Sequence, residues 1–324
     1  MNRFKSGFAI DLENMIALKV ATNFKESTYM ERAKNFDAFC AINHPEDFRL
    51  TETIVLNWIK DSLDNKTRNV AHSRLSFCRT FGEYQKAIGK KPFIPSQKML
   101  SGKSMFVPYI FTDEEMSGLF QAIDSYMNKQ NPFEGVLFSM YYRLCYTCGL
   151  RPYECRVLKR IDVDLNSGEI RIINTKWNKS RSIVMSDDVC ELARKYAFQR
   201  DMKFPDSEYF FPSRDGGPYT ATRIQGKFKK FYELSRPDIP KELLPAVRVY
   251  DLRHRFATAV MNNWLNNKVD LNARIPYLQA YMGHKDAAST AYYIHLLPEK
   301  LTKSTGVEWD KLNAIIPEVE PWEE

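Results

Sequence analysis

"GHKDAASTAYYIH" spans residues 283–295 and places two adjacent tyrosines, Tyr292 and Tyr293, eight and nine residues after His284. Neighbouring helix positions point about 100° apart, so the two phenols cannot share one task. One packs and the other is free for chemistry. Helical spacing does not choose between them. Tyr292 would neighbour Ala288 and His295, and Tyr293 would neighbour Ser289, Leu296 and Leu297.

Three more stretches belong with it. "TCGLRPYEC" (147–155) places Arg151 at the start of a helix after a glycine, and "YDLRHRFAT" (250–258) holds Arg253. "GEIRIINTK" (168–176) and "RSIVMS" (181–186) read as two strands of a hairpin separated by the four residues 177–180. Lys176 stands at the end of the first strand, with Lys179 and Arg181 beyond it. Two arginines, a lysine, a histidine and a tyrosine suit phosphoryl transfer at a phosphodiester without a metal or other cofactor. Arginine forks bind two non-bridging oxygens and stabilise charge in the transition state. Tyrosine supplies a nucleophile that stores the bond, and lysine protonates the leaving oxygen. Taken singly, each residue has a plainer reading: a helix-end arginine, a solvated strand lysine, a packed loop histidine, a core tyrosine.

Together they resemble the tyrosine recombinase (phage integrase) family over nearly the whole chain. The family pattern TGLRxxEL falls on Arg151 and Glu154, the hairpin lysine and the xxKxR that follows it on Lys176, Lys179 and Arg181, and HxLRHxxAT on 250–258. The GH pair gives His284, and the family's nucleophile follows that histidine by nine residues, at Tyr293. The resemblance therefore implies Arg151, Lys176, Arg253, His284 and Tyr293 as catalytic residues, and it selects Tyr293 over Tyr292. Tyr250 departs from the family's histidine at the first place of its box. A phenol can hydrogen-bond a phosphate oxygen, but with a pKa near 10 it is a poor base at neutral pH.

The fold expected is mainly helical with one small antiparallel sheet. Residues 1–105 read as four helices (8–24, 27–43, 50–63 and 65–89) followed by a linker rich in lysine and proline, 90–104. Residues 106–324 read as a mixed domain, with further helices at 113–128, 132–148, 187–201, 220–235, 249–266, 274–282 and around 287–304. By resemblance the first is a helical core-binding domain and the second the catalytic domain, closing as a C-shaped clamp on duplex DNA, with no arm-binding domain ahead of them.

Charge agrees. The net +7 conceals a balance of −5 over 306–324 and +8 over 65–103, where nine Lys/Arg face one acid, Glu83. Such a basic segment suits a polyanion. The six cysteines lack a second ligand pair at zinc spacing and read as reduced core thiols. No apolar run is long enough for a signal peptide or membrane span, so the expected location is cytoplasmic.

The resemblance further implies a 3′-phosphotyrosyl intermediate, a tetramer on two double-stranded DNA recombination sites, and integration or excision of a mobile element, with a directionality factor as a possible partner. Three alternatives share parts of the pattern: Xer-like dimer resolution, a type IB topoisomerase-like enzyme that relaxes DNA as a monomer, and a non-catalytic DNA-binding accessory factor. In the acidic tail 306–324, Trp309, Leu312, Ile315 and Ile316 share a helical face too short to stand alone in water, so the tail is expected to dock, on a neighbouring protomer or on its own domain.

Overall fold

The computed structural model describes residues 3–65, 68–96, 98–100, 108–126, 132–173, 180–284, 286 and 288–296. The chain divides into two compact units, Met1–Phe106 and Val107–Glu324.

The first unit holds α1 (Ala9–Ala21), α2 (Glu26–Asn43), α3 (Glu52–Asn65) and α4 (Arg68–Ala87). Each helix turns aromatic or aliphatic residues inward, and Phe8, Phe36, Trp58, Phe77 and Phe81 meet in one fully buried cluster. Phe36 meets Trp58 edge-on at 5.0 Å between centroids, a geometry that adds to the burial of both rings. Three details differ from the sequence expectation. Helix α2 starts at Glu26, one residue ahead of the expected start. Ile88 lies past the end of α4 and is 46% exposed.

The third difference is Arg74, which is buried. Its guanidinium donates to the Trp58 carbonyl at 2.5 Å and to Asp61 at 2.6 Å, and it lies over the Trp58 ring. Arg79 donates to the Pro95 and Ser96 carbonyls, both at 3.0 Å, and Lys90 pairs with Asp11 at 2.6 Å. Part of the basic segment therefore holds the unit together. Arg68, Lys86, Lys91 and Lys98 are exposed and available to a partner.

The second unit runs α5 (Asp113–Asp124), α6 (Phe133–Thr147), α7 (Pro152–Arg156), β1 (Glu169–Ile172), β2 (Arg181–Val184), α8 (Asp187–Lys203), α9 (Ala221–Leu234), α10 (Val249–Asn266), α11 (Leu271–Met282), α12 (Ala288–Ala291) and a 3-10 turn, Tyr292–Leu296. The protein is thus mainly α with a small antiparallel sheet. Helix α5 opens with a reciprocal cap: the Thr112 hydroxyl accepts from the Glu115 amide, and Glu115 accepts from the Thr112 amide.

The apolar α6 is buried almost throughout and forms the spine of the larger core, with Tyr141 and Tyr142 placing their hydroxyls on the Pro152 and Ile224 carbonyls. Burying both rings is tolerable because both hydroxyls are satisfied. The strands pair from Glu169 opposite Val184 to Ile172 opposite Arg181. The described pairing covers part of the expected hairpin, and residues 174–179 lie outside the described residues. Lys176 and Lys179 lie outside the described residues, as does the tail. All six cysteines are buried free thiols.

Candidate active site

Two glycines in left-handed backbone shape the site. Gly149 (φ 59°) ends the turn between α6 and α7, and a Cβ there would stand 2.5 Å from the Phe256 ring. Gly283 (φ 64°) closes α11, and a Cβ there would stand 2.9 Å from Arg181. Only glycine fits both the dihedral and the space. Each offers its carbonyl to an arginine of another box. Arg253 donates to Gly149 O at 2.5 Å, and Arg151 donates to Gly283 O at 2.7 Å. Residues far apart in sequence are thus bound by their own backbone.

Arg253 comes from the second turn of α10 and has no exposed surface. Its other terminal nitrogen donates to the Met282 carbonyl at 2.6 Å and to His284 Nε2 at 3.0 Å. Its Nε has no hydrogen-bond partner. Arg151 sits at the N-cap of α7 with its side chain partly open. Behind it lies Glu154, 5% exposed. That carboxylate accepts from the Arg151 amide at 2.9 Å and the Arg151 guanidinium at 2.7 Å. It also accepts a two-pronged pair from Arg181 at 2.9 and 2.8 Å. Burial alone would push Glu154 up, but Arg181 and Arg151 outweigh it and hold the carboxyl at about 2. Arg181 completes the link by donating to the Tyr281 carbonyl at 2.8 Å. The sequence marks Arg181 and Glu154 only as pattern matches. Their place behind Arg151 needed the fold.

The histidines are neutral. Burial and the cations Arg253, Arg151 and Arg181 lower His284 to about 3, and burial with Arg248 and Arg253 lowers His254 to about 4. Tyr293 is 2% exposed. Its ring stacks on His284 at 5.9 Å and an 18° interplanar angle, and meets His254 at 5.5 Å. Burial raises the Tyr293 phenol to about 12 against the opposing pull of Arg253. Tyr292 is less buried and touches Tyr293 at 6.1 Å between centroids. Tyr250 reaches the same group from the first turn of α10, 5.1 Å from the His254 ring.

The structure therefore brings Arg151, Tyr250, Arg253, His284 and Tyr293 into one cluster. Sequence reading missed one member. Thr290, with no exposed surface, lies 2.7 Å from His284 Nδ1, and six residues after the histidine only its position on a helix could have drawn notice. Among the described residues no cluster of His, Cys, Asp and Glu has metal-site geometry.

The family model for the phage integrase family matches residues 110–300. The chain belongs to that family. Integrase relatives extend over both units. "Putative integrase/recombinase y4rB" of Sinorhizobium fredii is 26% identical over 92% of this chain and 96% of its own length. "Tyrosine recombinase XerC" of Staphylococcus saprophyticus is 26% identical over 88% of this chain and 92% of its own. Solved integrases share the fold. The Tn1549 transposon integrase, in complex with transposon right-end DNA, superposes with a TM-score of 0.65 at 16% identity, covering 87% of this chain and 94% of that one. A lambda integrase dimer bound to a core site gives 0.61 at 14% identity, covering 86% and 95%. As a phage integrase family member, the chain is an enzyme of the tyrosine site-specific DNA recombinase class. No helix among its described residues is long and apolar enough to cross a membrane.

Proposed function

We propose that this integrase cuts and rejoins duplex DNA through Tyr293, forming a 3′-phosphotyrosyl link. The observation that carries the reading is the placement of the Tyr293 ring against His284 and His254 and beside Arg253, while Tyr292 stands outside that group. Tyr293 Oη attacks phosphorus, and the 5′ oxygen leaves with a proton supplied by Lys176. Arg151 and Arg253 bear the charge that builds on the non-bridging oxygens. Tyr250 donates a hydrogen bond to a phosphate oxygen. Of the two imidazoles against Tyr293, His254 is the one whose Nδ1 has no partner, and it takes the Tyr293 proton. The 5′-hydroxyl of a partner duplex then attacks the phosphotyrosine, so the phosphodiester energy is retained without ATP.

Arg253 has no exposed surface in this state, so a phosphate reaches it only when the groups over it, Tyr293 among them, shift. The family membership and the exposed lysines and arginines of 65–103 support double-stranded recombination sites as substrate. A tetramer on two sites follows from the need for four strand exchanges, and a mobile element is the DNA we assign, with cytoplasmic action and a directionality factor as further parts of this reading. The first unit serves as the core-binding domain.

The test is a nicked suicide duplex carrying the DNA that flanks this gene. A detergent-resistant adduct mapped to Tyr293 supports the proposal. Binding without an adduct makes the chain an accessory DNA-binding factor. Relaxation of supercoiled plasmid by the monomer, with no strand exchange between two sites, makes it a topoisomerase-like enzyme.

A further inference from the structure

We propose that Thr290 is a positioning residue that holds the His284 ring, in the tautomer Arg253 dictates, and so aims its Nε2 at the reacting phosphate. A guanidinium has donors only. Arg253 Nη2 lies 3.0 Å from His284 Nε2, so Nε2 is the acceptor in that contact. The single ring proton of the neutral imidazole then sits on Nδ1. There it meets Thr290 Oγ1 at 2.7 Å, and the hydroxyl accepts it. Thr290 has no exposed surface and stands on α12, one turn before the nucleophile segment. Water therefore does not replace it.

The opposite tautomer would set an Nε2–H against the Arg253 guanidinium, two donors face to face, while the Thr290 hydroxyl, which can donate or accept, would serve Nδ1 in either form. The donor–donor contact is costly inside a protein, so Arg253 sets the tautomer and Thr290 holds the ring in it. With Thr290 in place, the Nε2 lone pair faces the arginine until a phosphate draws Arg253 away. A proton taken there from solvent then makes the imidazolium, which donates to a phosphate oxygen while Thr290 still holds Nδ1–H. The groups facing the ring are Arg253 from α10, Arg151 from the N-cap of α7, Arg181 from β2, Tyr293, and Asp286 from the loop. Three cations oppose protonation, and Asp286 and the arriving phosphate favour it.

The inference rests on the proposed chemistry only for its consequence, not for the tautomer. The experiment separates the two. Nitrogen-15 spectra of the full-length protein without DNA, labelled at histidine and assigned with His284→Gln, read the tautomer directly. We expect Nδ1–H in the wild type, in Thr290→Ser and in Thr290→Val, which keeps the shape and removes the hydroxyl, with the Nδ1 resonance shifted in valine alone because its acceptor is gone. On the suicide duplex, Thr290→Val should form adduct about tenfold more slowly, about 1.4 kcal/mol in barrier, with unchanged affinity. The limb on which its rate falls as pH rises should move to lower pH, because the imidazolium has lost an acceptor, and serine should restore rate and profile. An Nε2–H tautomer in the wild type overturns the proposal, as does a valine variant with wild-type Nδ1 resonance, adduct rate and pH profile. A wild type that shows Nδ1–H yet forms no adduct overturns the recombinase chemistry and leaves the tautomer assignment standing.

Discussion

Glu154→Gln tests the electrostatic frame behind Arg151. The carboxylate is nearly inaccessible and lies between two guanidinium groups. Glutamine keeps the shape and leaves both cations without a counter-charge. Glu154 is held at about 2 instead of its ordinary 4.5. That difference corresponds to about 3 kcal/mol of stability at neutral pH. Breaking a buried pair from one side costs about the same, roughly 3–5 kcal/mol. The sign follows from the depressed value. The contribution is fully present above pH 4.5, the unfolded value, and is lost as pH falls toward 2, where the folded carboxyl also takes a proton.

The gap between wild type and variant should therefore be about 3 kcal/mol at pH 7, about half that at pH 3, and nearly closed at pH 2. Equilibrium urea unfolding of both full-length proteins, followed by ellipticity from about pH 7 to about pH 2.5, measures it. A gap that stays constant over that range would show that Glu154 is held by shape and not by charge.

Other predictions follow from the same geometry. Tyr293→Phe should bind its site and form no covalent adduct on a suicide duplex, whereas Tyr292→Phe should still form it; the reverse pattern would reassign the nucleophile. Arg151→Ala should slow cleavage by roughly two to three decades, as loss of an oxyanion donor does, and excess EDTA should leave wild-type cleavage unchanged in the same gel assay. Replacing the exposed Arg68, Lys86, Lys91 and Lys98 with alanine should flatten the salt dependence of binding by roughly 0.9 log units for each phosphate no longer neutralised. A salt titration that keeps its slope would remove this segment from the interface. Tyr250→His should preserve or raise the cleavage rate. A collapse with normal folding and binding would give the phenol a role that histidine cannot fill.

The sequence by itself determined the family pattern and the order of its boxes. Arg151, Arg253, His284 and Tyr293, which the fold brings together, could be picked out because each sits in a short box of fixed spacing, and a local pattern survives without knowledge of the fold; Lys176 lies outside the described residues. The helices were legible for the same reason, since their apolar periods are local. What depends on contacts across the chain was not. Arg74 reads as one more base in a basic run, yet tertiary packing commits it to Trp58 and Asp61. Arg181 and Glu154 are two matched letters until β2 and α7 meet. Helical spacing left the two tyrosines equivalent, and only the packing of the 3-10 turn against α10 and the loop after α11 sets Tyr293 on the histidines. Gly149 and Gly283 carry the same lesson: their left-handed turns are local, but the arginines their carbonyls bind are brought there by the fold, more than a hundred residues away in sequence.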